Sequence, residues 1–450
     1  MYKKILIASL ALIAGLASCK KDDPTPSPNP PSGLTIDGVA STLEFYQLDT
    51  AHLSVAGVAK DAAAKAVWAV NGAKAAEGAT FDFTTAHPGK YEVTLTVDGK
   101  SAKHTYTVAP RFSEGAFLLN EGNFGNETGS LTYIHPSKKL VIDQAYYRVN
   151  GTKLGNVCQD LAFGNDQIYI LSQLGPKNGG EGLLTIARSN SLEKVKVYND
   201  EALAQSTPTH IAVLRDHIYI RTERDGILRG SSGGGFTPIT GTKKALKQRM
   251  AQIGERIFAL TKDNKILMIQ GTQVVRELDL SPAKPSGIAV SHDGKLWIST
   301  TNPNAILKVD PTPDNFVVLD THVLDKSISS GWSASSAFFA HGDKLYFTGQ
   351  SSVIYCHDFA TNKTSQIIDV KTIDGVGTSA NVYYNSLGVD PATGELYYAA
   401  FEDFSTYNKK NVTMVLKADG TKLLLKEKVN SFPAGFFFIP NAASHTGANR

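Results

Sequence analysis

The chain has 450 residues and near-balanced charge, 45 lysines and arginines against 42 aspartates and glutamates, for a formal net charge of +3. With no long basic block, that balance excludes the electrostatic footprint of a nucleic-acid binder. Its three cysteines, Cys19, Cys158 and Cys356, are too few and too far apart for a disulfide scaffold or a thiolate metal site, and the last two read as small buried hydrophobes.

At the N-terminus Lys3 and Lys4 precede an apolar run from Ile5 to Ala17. The run is short of the roughly 20 residues a membrane-spanning helix needs, and residues 1–18 have the form of a cleavable signal peptide. Leu16-Ala17-Ser18-Cys19 match the lipobox of bacterial lipoproteins, which predicts lipidation of Cys19 and membrane attachment through that lipid anchor only. Lys20-Lys21-Asp22-Asp23 resembles the charged signal that sends Bacteroidetes lipoproteins to the outer face of the outer membrane, so the expected location is the cell surface. Residues 19–33 include PTPSPNPPSG, a composition that gives an extended, solvated tether.

Residues 34–110 alternate short apolar segments, such as AVWAV at 66–70 and YEVTLTV at 91–97, with the turn pairs Asn71-Gly72, Pro88-Gly89 and Asp98-Gly99. This predicts a small β-sandwich with hairpin punctuation and with Trp68 and Tyr91 in its core. The pattern W-x-V-N-G followed by P-G-x-Y-x-V-T-L resembles immunoglobulin-like or PKD-type spacer modules.

From residue 111 to 450 one unit recurs: a small apolar strand, a polar turn, and a strand with an aromatic second residue. Copies are DLAFGNDQIYILS at Asp160, HIAVLRDHIYIRT at His210, RMAQIGERIFALT at Arg249, GIAVSHDGKLWIST at Gly287, AFFAHGDKLYFTG at Ala337 and SLGVDPATGELYYAA at Ser386. The aligned aromatics Tyr169, Tyr219, Phe258, Trp297, Tyr346 and Tyr397 are separated by 50, 39, 39, 49 and 51 residues, the span of a four-stranded propeller blade. Ala434 to Ile439 resembles a first strand with nothing after it, and Gly115 to Asn120 a second strand with nothing before it. Joined, they complete one more blade from both termini and remove an exposed edge. The expected fold class is therefore all-β, a seven-bladed β-propeller preceded by a small Ig/PKD-like β-sandwich.

Propeller topology puts the loops between second and third strands on one face with the connections between blades. The long loops all fall there: Asn120 to Gly129, Arg148 to Asp160, Gln173 to Glu181, Thr321 to Ser336, Lys371 to Asn385 and Phe401 to Lys410. Long loops on a rigid scaffold are the usual place for binding, and these carry aromatics and amides. By loop position the candidates are Tyr147, Arg148, Trp332, Tyr383, Tyr384 and Tyr407, for each of which packing within the loop is the alternative. No H-E-x-x-H, paired C-x-x-C or G-x-S-x-G motif occurs, and the histidines are scattered, so no metal ligands, catalytic residues or cofactor are assigned. Binding is favoured over catalysis.

The segment FLLNEGNFGNETGSLTY at Phe117 to Tyr133, the lipoprotein signal, and YncE-like units such as SGIAVSHDGKLWIST together resemble the BtuG-type surface lipoproteins of Bacteroidetes. That resemblance implies capture of cobalamin or another corrinoid as cargo for a TonB-dependent outer-membrane transporter. It marks Asn120, Glu121, Asn123 and Phe124 as ligand-binding residues. The sandwich at 34–110 departs from the simplest members and leaves the cargo open: a surface siderophore or glycan binder or adhesin is the alternative, then a lyase or lactonase, since propellers host both. The face mixes Arg148, Lys153, Lys177 and Arg224 with Glu121, Asp160, Glu181, Glu223 and Asp403, which leans towards a near-neutral ligand.

Overall fold

The computed structural model describes residues 33–39, 44–328, 335–349, 351–382 and 387–440. Two units separate: one takes in the residues before 42 with Ala51–Phe83 and Tyr91–Tyr106, the other residues 42–50, 84–90 and everything from Thr107.

In the N-terminal region Thr35–Asp37, Thr50–Ala56 and Thr80–Thr84 form a three-stranded sheet. Phe45–Tyr46, Lys100–Ala109, Gly89–Val97, Val67–Val70 and Ala73–Glu77 form a five-stranded one. Trp68 is fully buried, and its indole N–H donates to Gly78 O at 2.9 Å. Tyr91 is only half-buried, its ring 5.8 Å from that of Phe83. Asn71-Gly72 and Asp98-Gly99 are left-handed at both residues (φ 49° and 80°, 48° and 77°), the two-residue hairpin turns their sequence favours. Pro88-Gly89 is different. It lies in the passage from Thr80–Thr84 of one sheet to Gly89–Val97 of the other, where a residue without an N–H interrupts the ladder at no cost.

Among the described residues the second unit contains seven four-stranded antiparallel sheets. Sheet one has the inner strand Pro433–Phe438, then Ala116–Asn120, Ser130–His135 and Leu140–Ile142. The other six are continuous in sequence. Their inner strands are Asn156–Gly164, Pro208–Leu214, Ala251–Ile253, Pro285–Val290, Phe338–His341 and Leu387–Val389 for sheets two to seven. Each sheet shares a buried core with the next, and sheet seven with sheet one: Tyr397, Ala399 and Val415 pack on Ala116, Leu118 and Phe436. The repeat aromatics lie in these inter-sheet cores, from Tyr169 between sheets two and three to Tyr346 between six and seven. Phe117 takes the same place between sheets one and two. This is the β-propeller arrangement, in which every sheet buries both faces against neighbours.

The ring closes through Pro433–Phe438 pairing with Ala116–Asn120, Phe437 opposite Phe117 and Phe436 opposite Leu118. Cys158 and Cys356 are both free and buried, and burial pushes each thiol up, that of Cys356 to about 11.

Candidate functional site

The loop after Ala116–Asn120 is built before it can bind anything. Its first N–H groups continue the closure: Glu121 N donates to Phe432 O at 2.8 Å and Gly122 N to Ser431 O at 3.2 Å. Gly122 is left-handed (φ +73°), and a Cβ there would run into the Thr128 carbonyl, so only glycine fits. Glu127 then ties the loop to sheet seven. Its carboxylate accepts from the Tyr407 hydroxyl at 3.0 Å and from Ser431 Oγ at 2.8 Å. Asn156 of sheet two donates to Asn123 O at 3.2 Å and Glu127 O at 2.5 Å. Asn178 completes the frame. In the orientation that matches donors to acceptors, its nitrogen donates to Gly125 O at 3.2 Å and its oxygen accepts from Asn126 N and Asn156 Nδ2, also at 3.2 Å.

This frame brings together the second-to-third-strand loops of sheets seven, one and two. On it stand two aromatics in water: Phe124 is 66% exposed and Phe404 49%. The Lys177 ammonium lies 3.6 Å from the centre of the Phe124 ring, a cation–π contact. Phe404 belongs to a group in which the Phe432 ring is 4.4 Å from Tyr407, 5.2 Å from Phe401 and 5.9 Å from Phe404. Burial and then the Glu127 carboxylate raise the Tyr407 phenol above its ordinary pKa, so it remains a neutral donor.

The sequence candidates distribute as follows. Asn120 is buried, its amide donating to Ser130 Oγ at 3.2 Å and Thr132 Oγ1 at 3.3 Å while its oxygen accepts from Ser431 N at 3.0 Å. Glu121 is also buried, and Asn123 is half-buried with its oxygen accepting from Gly125 N at 2.8 Å. Phe124 and Tyr407 come together through the frame. Tyr147 (47% exposed) and Arg148 lie on the short helix Ala145–Asn150, where Arg148 Nε donates to Asp143 O at 2.8 Å. That helix is tied to the Lys177 loop, since the Tyr146 hydroxyl donates to Glu181 at 2.9 Å. Cys19, Trp332, Tyr383 and Tyr384 lie outside the described residues. Glu127, Phe404 and Phe432 are members the sequence reading did not select. Glu127 stands inside the N-E-G-N-F-G-N-E-T loop, but only the fold places a hydroxyl from sheet seven against it.

Of the charges read on this face, Asp160 is not there. It is 2% exposed and lines a channel along the inner strands, because it lies within the inner strand Asn156–Gly164 and not in the loop before it. Among the described residues no group of three His, Cys, Asp or Glu could hold a metal ion, and no helix is long and apolar enough to cross a membrane. The arrangement offers flat apolar contact, one ammonium and loop amides, which suits binding.

Solved structures similar to this chain include a quinonprotein alcohol dehydrogenase-like protein from Bacteroides thetaiotaomicron. It is 15% identical, with a TM-score of 0.58 over 90% of this chain and 99% of that one. A protein from Lactobacillus plantarum is 12% identical with a TM-score of 0.49, covering 72% and 99%. The WD40 β-propeller domain of Doa1 is 9% identical with a TM-score of 0.42, covering 60% and 81%. At these identities the first likeness shows the fold alone. A comparison with curated proteins finds no match. The family model described as Domain of unknown function (DUF5074) matches residues 114–439, the span of all seven sheets, and the chain belongs to that family.

Proposed function

We propose that this chain is a surface-displayed capture protein whose seven sheets are the blades of a seven-bladed propeller. In this reading Cys19 carries the lipid anchor, the N-terminal sheets form an Ig/PKD-like spacer, and the propeller faces outwards from the outer membrane. The cargo is a flat, near-neutral small molecule, with a corrinoid first, passed to a TonB-dependent transporter without turnover. The observation that carries the reading is the convergence of three loops around the exposed rings of Phe124 and Phe404. An apolar side chain held in water on a fully bonded loop is a preorganised contact, so little ordering cost opposes a ligand that covers it.

Calorimetry of purified protein with cyanocobalamin tests this. Truncating an aromatic hot spot to alanine costs about 2 kcal/mol, roughly a thirtyfold loss of affinity, and that is the result expected for Phe124→Ala. No heat with several corrinoids at micromolar protein removes the corrinoid. Lys177 favours a second reading, an anionic siderophore, and the same titration with a ferric siderophore separates the two.

A further inference from the structure

The outermost strand of each sheet leaves one edge open, and an open edge invites pairing with another chain unless it is short, charged or broken by proline. Six of the seven edges carry such a guard. Leu140–Ile142 has three residues, Gly234–Pro238 ends on a proline, and a basic residue stands in each of four others: Lys194, Arg276, Lys363 and Lys422. Val318–Val323 of sheet five holds no lysine, arginine or proline. It is also where apolar side chains stand in water: Val317 is 39% exposed, Leu319 55% and Val323 70%. Among the described residues no other outer strand has more than one such side chain, Val195 on sheet two or Val275 on sheet four. Every outer strand of sheets two to seven slips by one residue against its neighbour, so the slip at Val318–Asp320 does not set sheet five apart.

The ladder shows which backbone groups this edge presents. Leu324 N donates to Asn304 O at 2.9 Å, and Val323 stands opposite Ala305. Bonding alternates along an antiparallel pair, so Asp320 and His322 turn their backbone groups inwards while Thr321 and Val323 turn theirs out. The strand is pinned from behind, where the His322 ring stacks on Phe359 with centres 3.7 Å apart and its Nδ1 lies 2.9 Å from His357 Nε2 of sheet six. Asp320 is exposed. Its Oδ1 accepts from Thr321 N at 2.7 Å, and its Oδ2 lies 3.6 Å from His322 Nε2.

We propose that this edge docks a second copy of the chain, strand against strand and antiparallel, about a two-fold axis at Thr321. The sequence is self-complementary about that point. Each Thr321 faces the second copy's Thr321, each Asp320 faces a His322, and each Leu319 faces a Val323. The Thr321 N–H exchanges its local carboxylate for the second copy's Thr321 carbonyl, which frees Asp320 for the imidazole across the seam. An axis at Asp320 or His322 would instead set carboxylate against carboxylate or imidazole against imidazole, and like charges directly opposite destabilise a strand pair. An axis at Val323 would put Leu319 opposite Ser327, past the end of the strand. The two-fold contact uses both edges and closes, so association stops at two. The proposal is independent of what the Phe124 face binds.

Sedimentation velocity tests the association. One strand edge is a small interface of the weak class, so a monomer–dimer equilibrium is expected between about 5 and about 200 µM protein. Val323→Lys and Leu319→Lys, both at exposed positions, should each weaken the dimer about tenfold or more with the melting temperature retained, since an edge lysine opposes pairing. Val195→Lys on sheet two should leave it unchanged. A thiol tests the register: opposed Thr321 Cα atoms about 5.5 Å apart are within reach of a disulfide. Cys158 and Cys356 are buried, so mild oxidation of Thr321→Cys in the Cys19→Ala chain should give a disulfide-linked dimer, and Val195→Cys in the same chain should not. A monomer at every concentration overturns the proposal and leaves the edge to a strand of a different protein. Folded lysine variants that dimerise like the wild type place the contact elsewhere and also overturn it. A dimer that Thr321→Cys fails to link overturns the axis at Thr321.

Discussion

Asp160 shows how a residue's surroundings can outweigh its partner. The Arg249 guanidinium favours its charged form, yet full burial dominates and the carboxyl is pushed up from 3.8 to about 6. Because folding raises this pKa, the folded chain holds the proton more tightly than the unfolded one. The resulting stability is fully present below about pH 4 and lost as the pH rises through about 6. We expect the unfolding free energy of the wild type, relative to Asp160→Asn, to fall by about 2–3 kcal/mol from pH 4 to pH 7. Urea melts across that range measure it, and a flat difference would contradict the assignment. His210 behaves in the opposite sense, since burial and then the Arg249 charge hold its imidazole well below the usual range. Neither role is legible in the repeat unit, where Asp160 and His210 occupy the ordinary start of an inner strand. Phe124 could be picked out from the N-E-G-N loop, whereas its exposure could not.

At the scale of elements, turn chemistry was readable wherever it is local. Asn71-Gly72 and Asp98-Gly99 adopt the left-handed turns because no side chain elsewhere competes. The closing strand was readable for a different reason: Ala434 to Ile439 lacks a second strand and Gly115 to Asn120 lacks a first. Its consequences reach beyond its own ladder, because Ala434 O accepts from Arg249, and just before the strand Ser431 Oγ donates to the Glu127 carboxylate while Phe432 O accepts from the Glu121 N–H. Deleting Phe432–Arg450 should therefore do more than expose the edge of Ala116–Asn120. It should broaden the thermal melt and lower its midpoint by well over the 1–2 °C or so that ~1 kcal/mol corresponds to in a chain of this size. A truncated chain melting like the wild type would remove the closure role.

For the whole molecule, the inter-sheet cores of the described residues explain why the repeat spacing ranges from 39 to 51 residues without disturbing the fold. The aromatic position and its strand are fixed by packing against the next sheet, while length varies in the loops. Those loops carry the candidate site. The proposed lipid anchor would act on the molecule as a unit, and the expectation is that Cys19→Ala moves the protein from the membrane fraction to the soluble fraction or stalls its maturation. Fractionation with immunoblotting reads the outcome, and unchanged membrane retention would rule out the lipid anchor.

The sequence by itself determined what depends on neighbours along the chain: strands and turns, the repeated aromatic, and the split sheet at the two ends. These follow from period-two burial and from turn residues that admit a left-handed backbone, both local properties. Only the tertiary structure decided which side chains meet. Glu127 finds Tyr407 and Ser431 about 300 residues away, and Arg249 crosses the ring to Asp160 and Ala434. Those contacts depend on ring closure and on the register of each sheet, and a one-residue shift of register sends a side chain to the other face. That is why the fold could be read from spacing, while the frame of the Phe124 patch and the Asp160–Arg249 pair could not.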